Sequence, residues 1–259
     1  MFKNLFDKRT SLDDVQSRWL LDAFEWSLDN FDSALFFRDA RLVLPTNEFF
    51  PGRADSVEGV TDLILRRVKT YAGMSHWPTR LMDQSVCAPL GRVQVTLDEP
   101  LRRAGEALDT QSDPGSALLI PYNSQQINKP EGMIASFAHV LAHYLGQTAK
   151  EPPPGGIEYW PHATELVAIY LGFGLMFANS AFNHRGGCGS CYNPRANRDA
   201  YLSELEATYA LAIFCVLKEI QPRFVIRHLK SHLKGVFKNM TRDAAERIDP
   251  LHRFKPVVA

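Results

Sequence analysis

The residues with the clearest chemical potential lie in the stretch Ser136-Phe-Ala-His-Val-Leu-Ala-His-Tyr-Leu145. It reads as a helix, with His139 and His143 four residues apart. Positions i and i+4 share a helix face, so both imidazoles can turn toward one metal ion. Gly132, Ala135, Ser136, Ala142 and Gly146 lie within about 60° of His139 around the helix axis, and all are small. A core-facing stripe is expected to be bulky. A small one implies a cleft, or a second element packed very close.

The third candidate donor is Glu165, the only charged residue in the apolar run from Ala163 to Phe182. A helix that apolar is expected to be buried. A buried carboxylate is costly unless it is paired, hydrogen-bonded or metal-bound. Glu165 follows His143 by 22 residues, beyond the hard break Lys150–Gly156, so a neighbouring antiparallel helix would deliver it. Two histidines and one carboxylate leave the fourth position open, as in catalytic zinc sites. The same donors suit iron, cobalt or nickel. A structural reading stands beside this one. In it the histidines bond to backbone carbonyls, and Glu165 sits in the first turn of its helix, favoured by the macrodipole, with Thr164 or His162 as cap.

His139-Val-Leu-Ala-His143, followed by Thr164-Glu165 on an apolar helix, resembles the gluzincin-type zinc metallopeptidases. It also resembles an uncharacterised bacterial family whose first helix reads His-Glu-Leu-Ala-His and whose second reads Thr-Asp before an apolar run ending Gly-Phe-Gly. Leu171-Gly-Phe-Gly174, Ala178-Asn-Ser-Ala-Phe182 and Tyr201-Leu-Ser-Glu204 are similar to the latter. The resemblance covers the second half of the chain well and the first half loosely. It implies a zincin-like core in which His139, His143 and Glu165 hold zinc. The pattern departs at Val140, where the general-base glutamate belongs. Valine can neither take nor relay a proton, and general-base help contributes about 10²–10⁴-fold. His162, Tyr144 and Glu206 are the available substitutes. The expectation is a degenerate metallopeptidase, a pseudo-enzyme that binds metal with little or no peptidase activity. The alternatives are a non-enzymatic binding or scaffold protein with an empty site, and an active metallohydrolase using another base.

His184-Arg-Gly-Gly-Cys188-Gly-Ser-Cys191 offers a possible second site. A Cys-x-x-Cys turn can hold half of a zinc site or cycle as a dithiol. Only His184 and Cys87 are available as further ligands, so two unpaired thiols is the competing reading. Cys215 lies in an apolar helix and reads as inert core.

The chain has 259 residues, 45% of them apolar, with 29 basic and 29 acidic side chains. That is ample for one large domain. The balanced charge gives no support to a nucleic-acid partner or an anionic membrane, and the basic stripe Arg223, Arg227, Lys230, Lys234, Lys238 reads as a solvated helix face. Small-molecule, peptide or protein ligands remain open. The N-terminal residues show no apolar signal core, and the apolar run Leu166–Ala178 is shorter than the roughly 20 residues of a transmembrane span. A cytoplasmic protein is the expectation.

These residues need elements to position them. Ser11-Leu-Asp-Asp14 resembles a capping box opening a helix whose stripes are Leu12, Val15, Trp19, Ala23, Trp26 and Leu20, Phe24, Leu28, Phe31. Asp55 or Ser56 caps a second helix with Val57, Val60, Ile64, Val68 and Tyr71 inward. Arg92–Leu97 and Ser116–Tyr122 read as strands. Pro130 begins the His139 helix, and a long helix follows over about 163–182. Ser203–Glu206 caps a third apolar helix ending before Pro222, and a basic amphipathic helix covers about 224–237. The tail from Asp249 reads as irregular. The fold class is α+β, mostly helical, with a small strand-poor sheet. It forms a single domain, 1–259, with an N-terminal helical layer at 1–80 and a zincin-like core at 90–240.

Overall fold

The computed structural model describes residues 12–83, 102–103, 117–180 and 200–251. The fold is mostly helical with a two-stranded parallel sheet, as the α+β reading requires. Helix α1 (Asp14–Asn30) begins at Asp13, whose carboxylate accepts the Gln16 N–H at 2.7 Å. Gln16 returns the bond to the Asp13 N–H, so this reciprocal cap replaces the expected Ser11–Asp14 pair. Val15 is 78% exposed, because the inward face of α1 is set by Leu20, Phe24 and Leu28. Helix α2 (Ser33–Asp39) follows after one turn. Helix α3 (Val57–Ala72) is capped by Ser56 and stopped by Gly73 at φ 75. Val57, expected inward, is exposed at its first position, whereas Ile64 and Val68 are buried.

Strand β1 (Thr79–Asp83) pairs in parallel with β2 (Leu118–Tyr122), Thr79 opposite Leu118 and Asp83 opposite Tyr122. β1 carries no clean two-residue alternation of burial, and its sequence gave no strand signal. The expected strand Arg92–Leu97 lies outside the described residues. β2 backs helix α4 (Pro130–Gly146), where the Tyr144 hydroxyl donates to the Leu119 carbonyl at 3.0 Å.

The long apolar helix is present but broken. Helix α5 (Trp160–Ala168) passes through a wide π turn, Ile169–Phe173, into α6 (Gly174–Ser180). Gly172 adopts φ 105, and an added Cβ would run into the Arg41 carbonyl. Only glycine tolerates that approach in that conformation. Val43 N–H donates to the Gly172 carbonyl at 2.9 Å, which fixes the kink from outside the helix. The helical run Ile157–Ser180 is long and apolar enough to cross a membrane by length and composition, and 94% of its apolar 18-residue window is buried inside the protein.

Helix α7 (Glu204–Leu217) opens with the expected Ser203/Glu206 box. Its last turn sends Lys218 to the Phe36 and Phe37 carbonyls at 2.8 and 2.6 Å, tying down the end of α2. The Phe36 ring stacks on Tyr170 at 4.8 Å and meets Phe24 and Phe214 edge-on. These contacts join α1, α2, the π turn and α7 in one core, each aromatic pair adding about 0.5–1.5 kcal/mol beyond area burial.

The expected helix over 224–237 is two shorter elements, α8 (Pro222–Val225) and the start of α9 (Leu233–Leu251). Buried Asn179 explains the interruption: its amide donates to the His228 carbonyl at 2.8 Å and accepts the Lys230 N–H at 3.1 Å. A tertiary side chain thus satisfies backbone groups that a continuous helix would have bonded itself. Helix α9 runs on through Leu251, so the tail is not irregular from Asp249. The basic stripe from Arg223 to Lys238 is exposed along its length.

Candidate functional site

Pro130 occupies the first turn of α4, where its missing N–H costs nothing. One and two turns before the other end, His143 and His139 stand half-buried on the side marked by small residues. At Gly146 those small residues have a plain cause. An added Cβ would lie 3.3 Å from the Trp160 ring, so the end of α4 is pressed against the start of α5. The close second element, rather than a cleft, accounts for the glycine there.

Helix α5 carries His162 and Glu165 one turn apart. Glu165 is 0% exposed, and its Oε2 accepts the buried Leu202 N–H at 2.8 Å. The first turn of α5 contains no acidic residue, so the macrodipole does not explain Glu165. The Thr164 hydroxyl donates back to the Trp160 carbonyl instead of capping the helix.

The segment that supplies the Leu202 N–H also brings Tyr201 over the pair of helices. The Tyr201 ring lies 6.4 Å from His139, nearly parallel at 12°, and 6.0 Å from His162 at 63°. His162 in turn meets the edge of Trp19 at 6.2 Å and Tyr159 at 5.8 Å. Tyr201 and Tyr159 are 49% and 41% exposed, so the cluster opens to solvent on one side. Trp19 and Trp26 donate to the Pro154 and Glu151 carbonyls at 2.8 and 3.0 Å, pinning the proline-rich break to α1.

His143 has different company. Its Nε2 is 2.8 Å from the Gln147 amide nitrogen, which can only donate, so Nε2 is the acceptor. Burial pushes its imidazole below the ordinary pKa and so favours the neutral form. Val140, at the base position of the peptidase pattern, is buried and apolar. Of the three substitutes, Tyr144 is committed to Leu119, and Glu206 to the α7 cap and to Gln16 at 3.4 Å. Only His162 belongs to the His139 cluster.

Two imidazoles and a carboxylate are the right donor types for zinc. Among the described residues, however, no group of three His, Cys, Asp or Glu side chains is gathered to hold a metal ion. Glu165 already gives one oxygen to Leu202. As arranged, the described donors do not make a closed zinc site. His184, Cys188 and Cys191 lie outside the described residues, as does Cys87. Cys215 is fully buried and its thiol is pushed well above the usual range by desolvation, as an inert core cysteine should be.

Sequence reasoning did not single out Tyr201 or the Leu202 N–H as parts of this cluster. The available signal was an aromatic two residues ahead of a capping serine. Its meaning depends on where α7 begins relative to α5, which no local pattern encodes. No family model, no curated protein and no solved structure matches the chain.

Proposed function

We propose that this chain is a zincin-like pseudo-enzyme: a cytoplasmic binding protein built on a peptidase-type helix pair, without strong peptide hydrolysis. The observation that carries the reading is the joint fate of two positions. Val140 buries an apolar side chain where a base would stand, and Glu165 is engaged by the Leu202 N–H. In this reading Glu165 anchors the lead-in of α7, and His139, His162 and Tyr201 form the binding surface beside it. Aromatic faces and imidazoles at a half-open cluster suit a small-molecule, peptide or protein ligand.

A second reading is favoured by the placement of His139 and His143 on one helix side and by the neutrality of His143, since metal ligands must be deprotonated. Here zinc is held by His139, His143 and Glu165, the carboxylate using its second oxygen. One experiment separates the two. Protein purified without chelator is analysed for zinc, its melting temperature is measured with and without EDTA, and peptide hydrolysis is assayed for the natural chain and for Val140→Glu. The first reading expects no stoichiometric zinc, no EDTA effect and no hydrolysis. Stoichiometric zinc lost in His139→Ala selects the second. Robust hydrolysis by the natural chain would end the pseudo-enzyme proposal in both forms.

A further inference from the structure

The charges of the chain balance in total and not in place. From Ile220 to Arg242, 23 residues hold six Lys or Arg and no Asp or Glu. The six are Arg223, Arg227, Lys230, Lys234, Lys238 and Arg242, and all are exposed. They recur every three or four residues along α8, the turn after it and α9. Val225, Leu229, Leu233 and Phe237 alternate with them and are buried, and α9 packs along α7. The apolar side of the segment is thus committed to the core, and the cations are left on its outer side.

The row is held in place. Buried Asn179 binds the His228 carbonyl at 2.8 Å and the Lys230 N–H at 3.1 Å, which fixes the turn between α8 and α9. Within α9, Lys234, Lys238 and Arg242 stand four residues apart, a rise of about 6 Å each along one side. Gly235 lies beside them, and an added Cβ there would meet nothing within 4 Å, so that side is open. At the other end Phe224 is 52% exposed, with the Arg223 guanidinium 5.3 Å from its ring centre. The acids nearest in sequence have other partners or lie at the ends. Asp243 accepts from Tyr209 at 2.6 Å and from Arg247 at 3.0 Å, and Glu204 lies 2.9 Å from the His232 Nε2. Glu219 and Glu246 flank the row.

We propose that this stripe docks the protein on an anionic lipid surface, with the six cations at the headgroups and Phe224 entering the boundary with the acyl chains. Like charges side by side repel, and an opposing negative surface relieves that repulsion. Each Lys or Arg near an anionic leaflet is worth about fivefold in affinity. Two features favour lipid over a nucleic acid strand. The row runs along the outer side of a packed helix, which presents it as a ridge to a broad surface. One apolar ring amid cations suits the headgroup boundary, whereas it gives bases a single stacking point. The proposal does not depend on the reading given for the His139 cluster.

The test is co-sedimentation of the full chain with vesicles of phosphatidylcholine alone and of phosphatidylcholine with phosphatidylserine, at low and high sodium chloride. The expected result is binding to the phosphatidylserine vesicles only, weakened by salt. Lys234→Gln and Lys238→Gln should each weaken it about fivefold, and Phe224→Ala should weaken it while leaving the salt dependence unchanged. All three positions are exposed, so the circular dichroism spectrum should stay as it is. A fluorescent single-stranded oligonucleotide is titrated in parallel. No binding to phosphatidylserine vesicles at low salt, or binding that the folded Lys234→Gln/Lys238→Gln double variant keeps in full, overturns the proposal. Saturable binding of the oligonucleotide with none to the vesicles overturns it too, and assigns the stripe to nucleic acid.

Discussion

Glu165 separates an anchor from a metal ligand, because its two substitutions report different things. Glu165→Ala removes the acceptor of a buried Leu202 N–H and the side-chain atoms beyond Cβ. An orphaned buried donor costs about 1–3 kcal/mol. The vacated volume adds a cavity term, for a total of about 2–4 kcal/mol. No discount for solvent applies, since Glu165 is 0% exposed. Glu165→Gln keeps a carbonyl oxygen in place of the 2.8 Å acceptor and should cost less than about 1 kcal/mol. Urea unfolding followed by circular dichroism, in EDTA and again with added zinc, measures both. For a chain of this size each kcal/mol moves the melting point by about 2–4 °C. The anchor account requires a wide gap between the two variants and no effect of zinc on the natural chain. It fails if Glu165→Ala is as stable as the natural chain. It also fails if Glu165→Gln is as damaging as Glu165→Ala, because the negative charge rather than the accepted N–H would then be what matters.

Three further outcomes are expected. Gly172→Ala should destabilise by about 3 kcal/mol or more, since it adds left-handed strain to a backbone collision with Arg41, and thermal melting will show it. His143 is depressed below its ordinary value near 6.5 by burial, so the unfolded chain binds its proton first. Stability is therefore complete above that value and falls as the pH drops below it, and urea midpoints across that range should lose part of this slope in His143→Gln. Cys215, fully buried with a raised pKa, should resist a thiol reagent in the native protein and react on unfolding.

The parts of the fold legible in the sequence are those written in local signals. Ser56 before Val57, Ser203 with Glu206 and Pro130 at a first turn each mark a boundary through one backbone hydrogen bond or one backbone angle. The buried character of Glu165 was equally legible, because a lone acid in a long apolar run has nowhere else to go. What stayed hidden depends on distant partners. The split of the 224–237 helix is made by Asn179, about fifty residues earlier. The kink at Gly172 is set by Arg41 and Val43, and β1 is a strand because β2 lies beside it. The pairing of His139 with Tyr201 follows from where the residues just ahead of α7 lie beside α4 and α5. Arg102 gave no signal at all, since an arginine in a charged stretch reads as surface.

The π turn is where these distant effects meet. It lets one apolar segment serve two surfaces: α5 presents His162 and Glu165 beside α4, and α6 turns to pack along α7. Its orientation is held by backbone contacts from Arg41 and Val43 and by the Tyr170 hydroxyl, which donates to the Phe31 carbonyl at 2.8 Å. Arg41 also lines a cavity of about 260 Å³ between the C-terminal ends of α2 and α3, and buried Arg102, on the same wall, donates to the Tyr170 hydroxyl at 3.5 Å. The cavity and the His162–Glu165 helix therefore draw on the same few residues for their position. A substitution that loosens the turn should disturb both at once, whereas Arg41→Gln spares the backbone contact and should touch only the cavity. That difference follows from packing alone.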